Sequence, residues 1–143
     1  MEASIIEKTE KARFNVMLLQ MISFGIWMIG GILAQFPFDK PVINICGIIS
    51  AIFGLLFFYG TIKNLLLCRE IKNSKELSNA LGNEMYKSFD CRARTSGLFS
   101  TIICVMFIYL VDDYINFPVK VYCLILLFVA VITVGVHRLV LYK

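Results

Sequence analysis

Side chains that commonly perform catalysis or bind metals are few in this sequence of 143 residues. His137 is the only histidine, so a metal site or a histidine-based catalytic relay has almost nothing to build on. The five cysteines form no C-x-x-C motif and no zinc-site spacing. No nucleophile is paired with a base, and there is no glycine-rich phosphate loop. The sequence therefore predicts a protein that is not an enzyme and that binds no cofactor or metal.

Acidic residues are missing from the middle of every long apolar stretch. A carboxylate inside a membrane span usually marks a proton relay or a substrate site. The polar residues within these stretches are uncharged instead: Gln20, Ser23, Ser50, Thr101 and Thr133. Hydrogen bonding between helices accounts for them, and a proton-coupled exporter is disfavoured.

Basic residues stand at the ends of the apolar stretches, where their charges can reach lipid phosphates. Long basic side chains at such places keep their aliphatic stems in lipid and extend the charge to the headgroup layer. We expect contact with membrane lipids, anionic at the cytoplasmic face, or docking of a partner at five positions: Lys63, Arg69, Arg92, Arg94 and Arg138. At Lys63 and at the His137-Arg138 pair, plain anchoring, a specific anionic-lipid pocket between the repeats and a polar gate all fit the pattern.

Small residues recur four positions apart in the apolar stretches. The pairs are Gly30 with Ala34, Gly47 with Ala51, and Ser50 with Gly54. This spacing places small side chains on one helix face and lets two helices approach closely in lipid. It predicts tight helix packing, either within the chain or between the copies of a homo-oligomer.

The longest polar segment contains one regular apolar pattern. Large apolar residues recur there every four positions, at Leu77, Leu81, Met85 and Phe89. Such a stripe follows one face of a helix, and Asn73 followed by Glu76 predicts the start of that helix. We expect an amphipathic cytoplasmic connection over residues 69–94, which either lies in the headgroup layer or docks a partner protein.

Long apolar stretches are the elements that must position these residues. The chain is 59% hydrophobic, and its apolar runs extend for about 20 residues, which crosses a hydrocarbon core of roughly 30 Å. Four spans are predicted, over residues 14–36, 42–68, 95–111 and 119–142. The predicted fold class is all-α, an integral membrane four-helix bundle of two hairpins. It forms a single transmembrane domain over residues 1–143.

Positive charge is distributed unevenly between the two ends of these spans. Of the 14 Lys and Arg, only Lys40 and Lys120 fall in the two short connections within the hairpins. Cytoplasmic segments of membrane proteins carry an excess of Lys and Arg. Both termini and residues 69–94 are therefore predicted to be cytoplasmic. The net charge of +4 reflects topology and lipid contact, and it does not indicate a nucleic-acid partner.

The two hairpins also resemble each other. Lys11-Ala12-Arg13 and Arg92-Ala93-Arg94 each open a hairpin, and Phe36-Pro37 and Phe117-Pro118 each close its first helix, at one offset of 81 residues. This predicts a tandem repeat whose copies are parallel about an axis along the membrane normal. In outline the chain resembles small bacterial inner-membrane proteins built from two-helix hairpin repeats. Its compactness and charge pattern fit the inner membrane of a bacterium.

Two kinds of function follow from this architecture. The first is a non-enzymatic protein that acts by association with a membrane protein partner or with itself, of a regulatory, assembly or immunity type. The alternative is an oligomeric pore, a small transporter or a membrane-disrupting effector. Association predicts tightly packed apolar interfaces. A pore predicts that uncharged polar residues face a shared lumen, among Gln20, Asn44, Ser50 and Thr133.

Overall fold

The computed structural model describes residues 2–81, 84–111 and 117–141, and the regular structure in these ranges is entirely helical. Its helices are α1 (Glu2–Leu33), α2 (Lys40–Asn73), α3 (Lys75–Leu81), α4 (Glu84–Val111) and α5 (Val119–Leu141). All except α3 contain a segment long and apolar enough to cross a membrane. The predicted all-α fold class and four candidate transmembrane helices are confirmed.

Two helices extend well beyond the predicted spans at one end of the bundle. At this end α1 and α4 begin and α2 and α5 end, and we call it the basic end because most Lys and Arg lie there. Here α1 begins at Glu2 and α4 at Glu84, each about three turns before the predicted span. A helix satisfies its own backbone hydrogen bonds, so it has no need to stop at the lipid surface.

The opposite, far end of the bundle holds the short connections within the hairpins. The α1 helix ends at Leu33, three residues before the predicted end of its span, and residues 34–36 close with turn hydrogen bonds such as Gln35 N–H to the Ile32 carbonyl at 3.0 Å. Pro41 stands in the first turn of α2, where the backbone N–H that proline lacks would have no helical partner anyway. Before α5, the Phe117 N–H donates to the Tyr122 hydroxyl at 3.3 Å.

The apolar stripe predicted for the basic connection does not lie on one helix. Leu77 and Leu81 belong to α3, whereas Met85 and Phe89 belong to α4. The side chains of Leu81 and Met85 lie outside the described part of the structure. Of the other two stripe residues, Leu77 is buried and Phe89 is half-buried.

The start of α3 is set by Ser74, one residue later than the sequence pattern predicts. Asn73 is the last residue of α2, and the extended backbone of Ser74, with φ −96° and ψ 118°, ends that helix. The Ser74 hydroxyl oxygen then accepts the Leu77 N–H at 3.4 Å, which is the arrangement of a helix N-cap. Leu77 is buried because α3 lies against both α1 and α2.

The membrane helices lie side by side in the order α2, α1, α5, α4. Their main contacts join α1 to α2, α1 to α5, and α4 to α5. The side chains buried along α1 are Val16, Ser23, Phe24 and Met28. The core therefore follows α1, and α2 and α4 form the two edges of the bundle.

A glycine lies in close contact with the neighbouring helix at each of these three interfaces. A Cβ added to Gly30 would lie 2.9 Å from the Ser50 Cβ of α2, and one added to Gly135 would lie 2.5 Å from the Met21 Cγ of α1. A Cβ at Gly97 of α4 would overlap the side chain of Val134 in α5. Small residues let membrane helices approach this closely, which increases the van der Waals contact between them.

Candidate functional site

A cluster of polar side chains joins α1 to α2 in the half of the hairpin nearer the basic end. Gln20 Nε2 donates to Thr61 Oγ1 at 3.1 Å, and Gln20 Oε1 accepts from Asn64 Nδ2 at 3.1 Å. The Thr61 hydroxyl donates in turn to the Phe57 carbonyl at 2.9 Å. A Cβ added to Gly60 would lie 2.9 Å from Gln20 Cγ, so glycine at this position admits the glutamine. The cluster fastens the two helices in one register.

A groove of about 400 Å³ runs beside this cluster, with α1 at its base and α2 and α5 on its two sides. We call it the α2–α5 groove. The base carries Gln20, Met21 and Phe24, and α2 contributes Phe57 and Asn64. Six residues of α5 line the remaining side: Ala130, Val131, Ile132, Val134, Gly135 and Arg138. Its volume falls in the roughly 300–1,000 Å³ range of small-ligand sites.

Polarity changes along the length of the α2–α5 groove. Phe24, Phe57 and Val131 lie toward the middle of their helices, and Asn64 and Arg138 lie toward the basic end. Phe57 and Asn64 are separated by two turns of α2, which is roughly 10 Å at the rise of an α-helix. The groove is therefore apolar over its inner part and polar at the basic end.

An ion pair connects α4 and α5 at the basic end. Arg138 Nε lies 3.0 Å from Asp90 Oδ1, and the two side chains are 29% and 33% exposed. The geometry lacks the alignment of a hydrogen bond at Nε, so the contact is electrostatic. Arg138 is predicted from the sequence to contact lipid or to dock a partner, and its pairing with Asp90 was not predicted. Asp90, Ala93 and Gly97 are spaced three and four apart, and this spacing was the signal that Asp90 faces α5.

Three of the predicted small residues pack inside the α1–α2 hairpin. The Ser50 hydroxyl donates to the Trp27 carbonyl at 3.0 Å, beside the close contact of Gly30. A Cβ at Gly54 would lie 3.3 Å from the Trp27 indole nitrogen. Gly30 and Gly54 are buried, so both serve contact within the chain.

The other predicted small residues lie elsewhere. Gly47 and Ala51 are exposed, and a Cβ at Gly47 would have nothing within 4 Å. Ala34 lies in the turn after α1 and is half-buried. The same spacing of small residues thus marks an internal interface at one position on α2 and an open surface at another.

The remaining predicted basic residues are exposed at the basic end: Lys63, Arg69, Arg92 and Arg94. Lys63 Nζ lies 5.4 Å from the centre of the Tyr59 ring, a cation–π contact on the outer side of α2. None of these four side chains lines the α2–α5 groove. Among the predicted basic residues, Arg138 is the one that does. Gln20 is recognisable in the sequence as a polar residue within a span, but its bonds to Thr61 and Asn64 depend on the register of α1 against α2.

Among the described residues, no group of three or more His, Cys, Asp or Glu side chains is arranged to hold a metal ion. All five cysteines are free thiols. No protein family model matches the chain, and neither a curated protein nor a solved structure matches it. Function must therefore be inferred from the geometry of the chain itself.

Proposed function

We propose that this chain is a non-enzymatic multi-pass membrane protein that acts by association, with a partner membrane protein or with a second copy of itself. The observation that carries the proposal is the exposure of α4. Its main contact is with α5, and its large apolar side chains are uncovered along the helix, from Leu98 (62% exposed) to Tyr109 (81%) and Leu110 (68%). An edge helix of this kind is available to another helix in the membrane.

Lipid can cover such an exposed apolar face, but it makes no specific, fitted contact with it. Lipid tails are as apolar as the side chains, so burial in lipid gives no hydrophobic drive for packing, and only a fitted partner adds close van der Waals contact. The other edge helix offers a complementary feature, because Gly47 and Ala51 leave the backbone of α2 open on its exposed side. Both edges of the bundle therefore support association.

The alternative function, a pore, small transporter or membrane-disrupting effector, has less support. Of its four candidate lumen residues, Gln20 and Ser50 form hydrogen bonds between α1 and α2, within the hairpin. Asn44 is exposed and Thr133 is half-buried. Asn44→Leu and Thr133→Val are therefore the variants that separate the two functions, since neither side chain fastens the hairpin by a hydrogen bond that the structure describes. Loss of ion flux in these variants would favour the pore.

Native mass spectrometry of the protein extracted gently from its own membrane tests association directly. We expect a complex of fixed stoichiometry, either a homo-oligomer or a pair with a different protein. Single cysteines placed at Met106 on α4 and at Leu55 on α2, in a background without the native cysteines, then locate the contact by cross-linking. A bare monomer that forms no cross-link at either position would contradict the proposal.

We propose further that both termini and the basic end are cytoplasmic, in the inner membrane of a bacterium. The charge distribution supports this orientation, since only Lys40 and Lys120 stand at the far end. Cys68 and Cys91 are exposed near the basic end and serve as natural reporters. A membrane-impermeant maleimide should reach them only after the cells are opened, whereas Asp39→Cys should react in intact cells. The reverse pattern would invert the topology.

We also propose that the two hairpins are copies of one two-helix repeat. Phe36 and Phe117, which match at the repeat offset, pack edge to face with their ring centres 5.7 Å apart. This contact joins the same position of the two hairpins and supports their origin from one two-helix unit. Sequences of related chains in which the two halves are more alike would test it.

A further inference from the structure

The α2–α5 groove has the shape and polarity of a site for an amphiphile. Its inner part is lined by apolar side chains, including Phe24, Phe57 and Val131, and it opens to the surface at Val131, which is 38% exposed. An apolar cleft at this depth in a membrane is filled by hydrocarbon, because water there would find too few polar partners. One acyl chain lying along α1 is the occupant that fits the inner part.

The polar end of the groove selects the headgroup. Arg138 is one of the residues that line it, and a guanidinium has five N–H donors in a planar fork. Asp90 approaches this group at Nε, and one carboxylate placed there leaves donors for a second anion. Phosphate oxygens suit such a fork because they accept two parallel N–H bonds. Asn64 stands at the same end with an amide that also donates hydrogen bonds.

We infer that the α2–α5 groove binds one anionic phospholipid, with an acyl chain on the apolar residues of α1 and α5 and the phosphate at Arg138. The site is separate from the edge faces of α2 and α4 that support association, so it does not depend on the proposed function. The basic end supplies the favourable potential for an anionic headgroup through Lys63, Arg69 and Arg92, all of which are exposed there. A zwitterionic lipid of the same chain length offers the same hydrocarbon and gains less from this field.

Competition between two lipids on the full-length protein tests the assignment. Phosphatidylglycerol and phosphatidylcholine with identical chains are added to the purified protein in detergent, and bound lipid is counted by native mass spectrometry. We expect phosphatidylglycerol to be retained about tenfold more, because both lipids carry the phosphate but only phosphatidylcholine carries a choline cation, which offsets the attraction of that phosphate to the basic side chains. Glycerol phosphate without acyl chains should not bind. Equal retention of the two lipids would show an ordinary lipid boundary, and binding of glycerol phosphate would show a phosphate site; either overturns the inference.

Two variants at the polar end separate headgroup binding from loss of the ion pair. Both Arg138→Gln and Asp90→Asn break the pair between α4 and α5. Only Arg138→Gln removes a positive charge from the polar end together with the phosphate ligand, so it should lower the retention of phosphatidylglycerol and reduce the tenfold preference several-fold. Asp90→Asn should keep or increase the preference, because it frees Arg138 for phosphate. Equal loss in both variants would mean that the ion pair, and not a lipid, explains the position of Arg138.

A second pair of variants tests the apolar part and does not touch the charge. Val131→Trp fills the groove, and Leu127→Trp places the same indole one turn away on an exposed position that does not line it. We expect Val131→Trp to lower retention of phosphatidylglycerol at least several-fold and Leu127→Trp to leave it unchanged. Retention that survives Val131→Trp would place the lipid elsewhere.

Discussion

The two hairpins are held together by different interactions. In α1–α2, Gln20 makes two hydrogen bonds between the helices, and the rings of Phe24, Trp27 and Phe57 lie with centres 5.4–6.2 Å apart. In α4–α5 the Thr101 hydroxyl bonds to its own helix, at the Gly97 carbonyl, 2.8 Å away. The contacts across that hairpin include apolar packing at Gly97 and the ion pair of Asp90.

This difference indicates that the two hairpins differ in how specifically the register of their helices is set. Directional bonds between helices specify one register, whereas apolar packing in lipid is less specific because side chains and lipid tails are alike. The α1–α2 hairpin is therefore the frame of the bundle. Both hairpins leave the outer helix exposed, α2 in the first and α4 in the second.

The largest expected effect comes from filling a close contact of the frame. Gly30→Val should lower the free energy of unfolding by about 3 kcal/mol, at the upper end of overpacking costs. The added side chain meets the Ser50 Cβ at 2.9 Å and the Cys46 carbonyl oxygen at 3.3 Å, and a backbone oxygen cannot rotate away. Unfolding in mixed detergent micelles measures the change.

Gly47→Val is the matched control on the same hairpin. It should change the unfolding free energy of the monomer by less than about 0.5 kcal/mol, as is usual for surface substitutions, because a Cβ there has nothing within 4 Å. A large loss confined to an oligomeric form would instead mark Gly47 as part of the contact between copies.

Removing the hydrogen bonds of Gln20 between α1 and α2 should have the next largest effect. Gln20→Leu loses both hydrogen bonds to α2 and should cost about 1–2 kcal/mol, since such bonds in membrane proteins average about 0.6 kcal/mol each and leave unpaired groups behind. The control is Thr101→Val, whose lost bond lies within one helix. Equal destabilisation by the two variants would remove the distinction between the hairpins.

The contact between the hairpins at the far end should contribute less. Phe36→Leu loses the edge-to-face packing on Phe117 and should lower the free energy of unfolding by about 1 kcal/mol, the scale of an aromatic pair. Phe107→Leu, an exposed position on α4, serves as control and should have little effect. A larger effect at Phe107 would reveal that a partner covers α4.

The smallest effect is expected at the ion pair of the second hairpin. Asp90→Asn should cost less than about 1 kcal/mol, because both side chains are partly exposed and solvent screens the pair. Unfolding at low and high salt should show a difference between native and variant protein that shrinks as salt increases. A loss of several kcal/mol that is independent of salt would mean that the pair is desolvated and structural.

Much of the architecture could be predicted from the sequence because it depends on local composition. A run of about 20 apolar residues meets the length requirement of the bilayer wherever it occurs, and the four long helices follow from it. The polar connection was less predictable. Its stripe of large apolar residues has helical spacing, but the Ser74 cap ends one helix and begins another.

Single residues of the candidate site could be predicted from the sequence, but the contacts between them could not. Gln20 and Arg138 were recognised as polar or basic residues at notable positions, whereas their partners Thr61, Asn64 and Asp90 were not. These partners are more than 40 residues away along the chain, and a pattern within one helix holds no information on which turn of another helix it meets.

Local composition is enough to establish that the chain is helical, that four segments can span a membrane and that positive charge collects at one end. The assembled helices are needed to show that α1 lies in the middle, that α4 lies at an edge and that Gly30 is buried while Gly47 is open. This difference follows from the solvent. A soluble helix shows its inner face by the absence of polar residues, but a membrane helix is apolar on every side. The faces that meet are therefore selected by shape and by a few hydrogen bonds, which exist only once the helices are assembled.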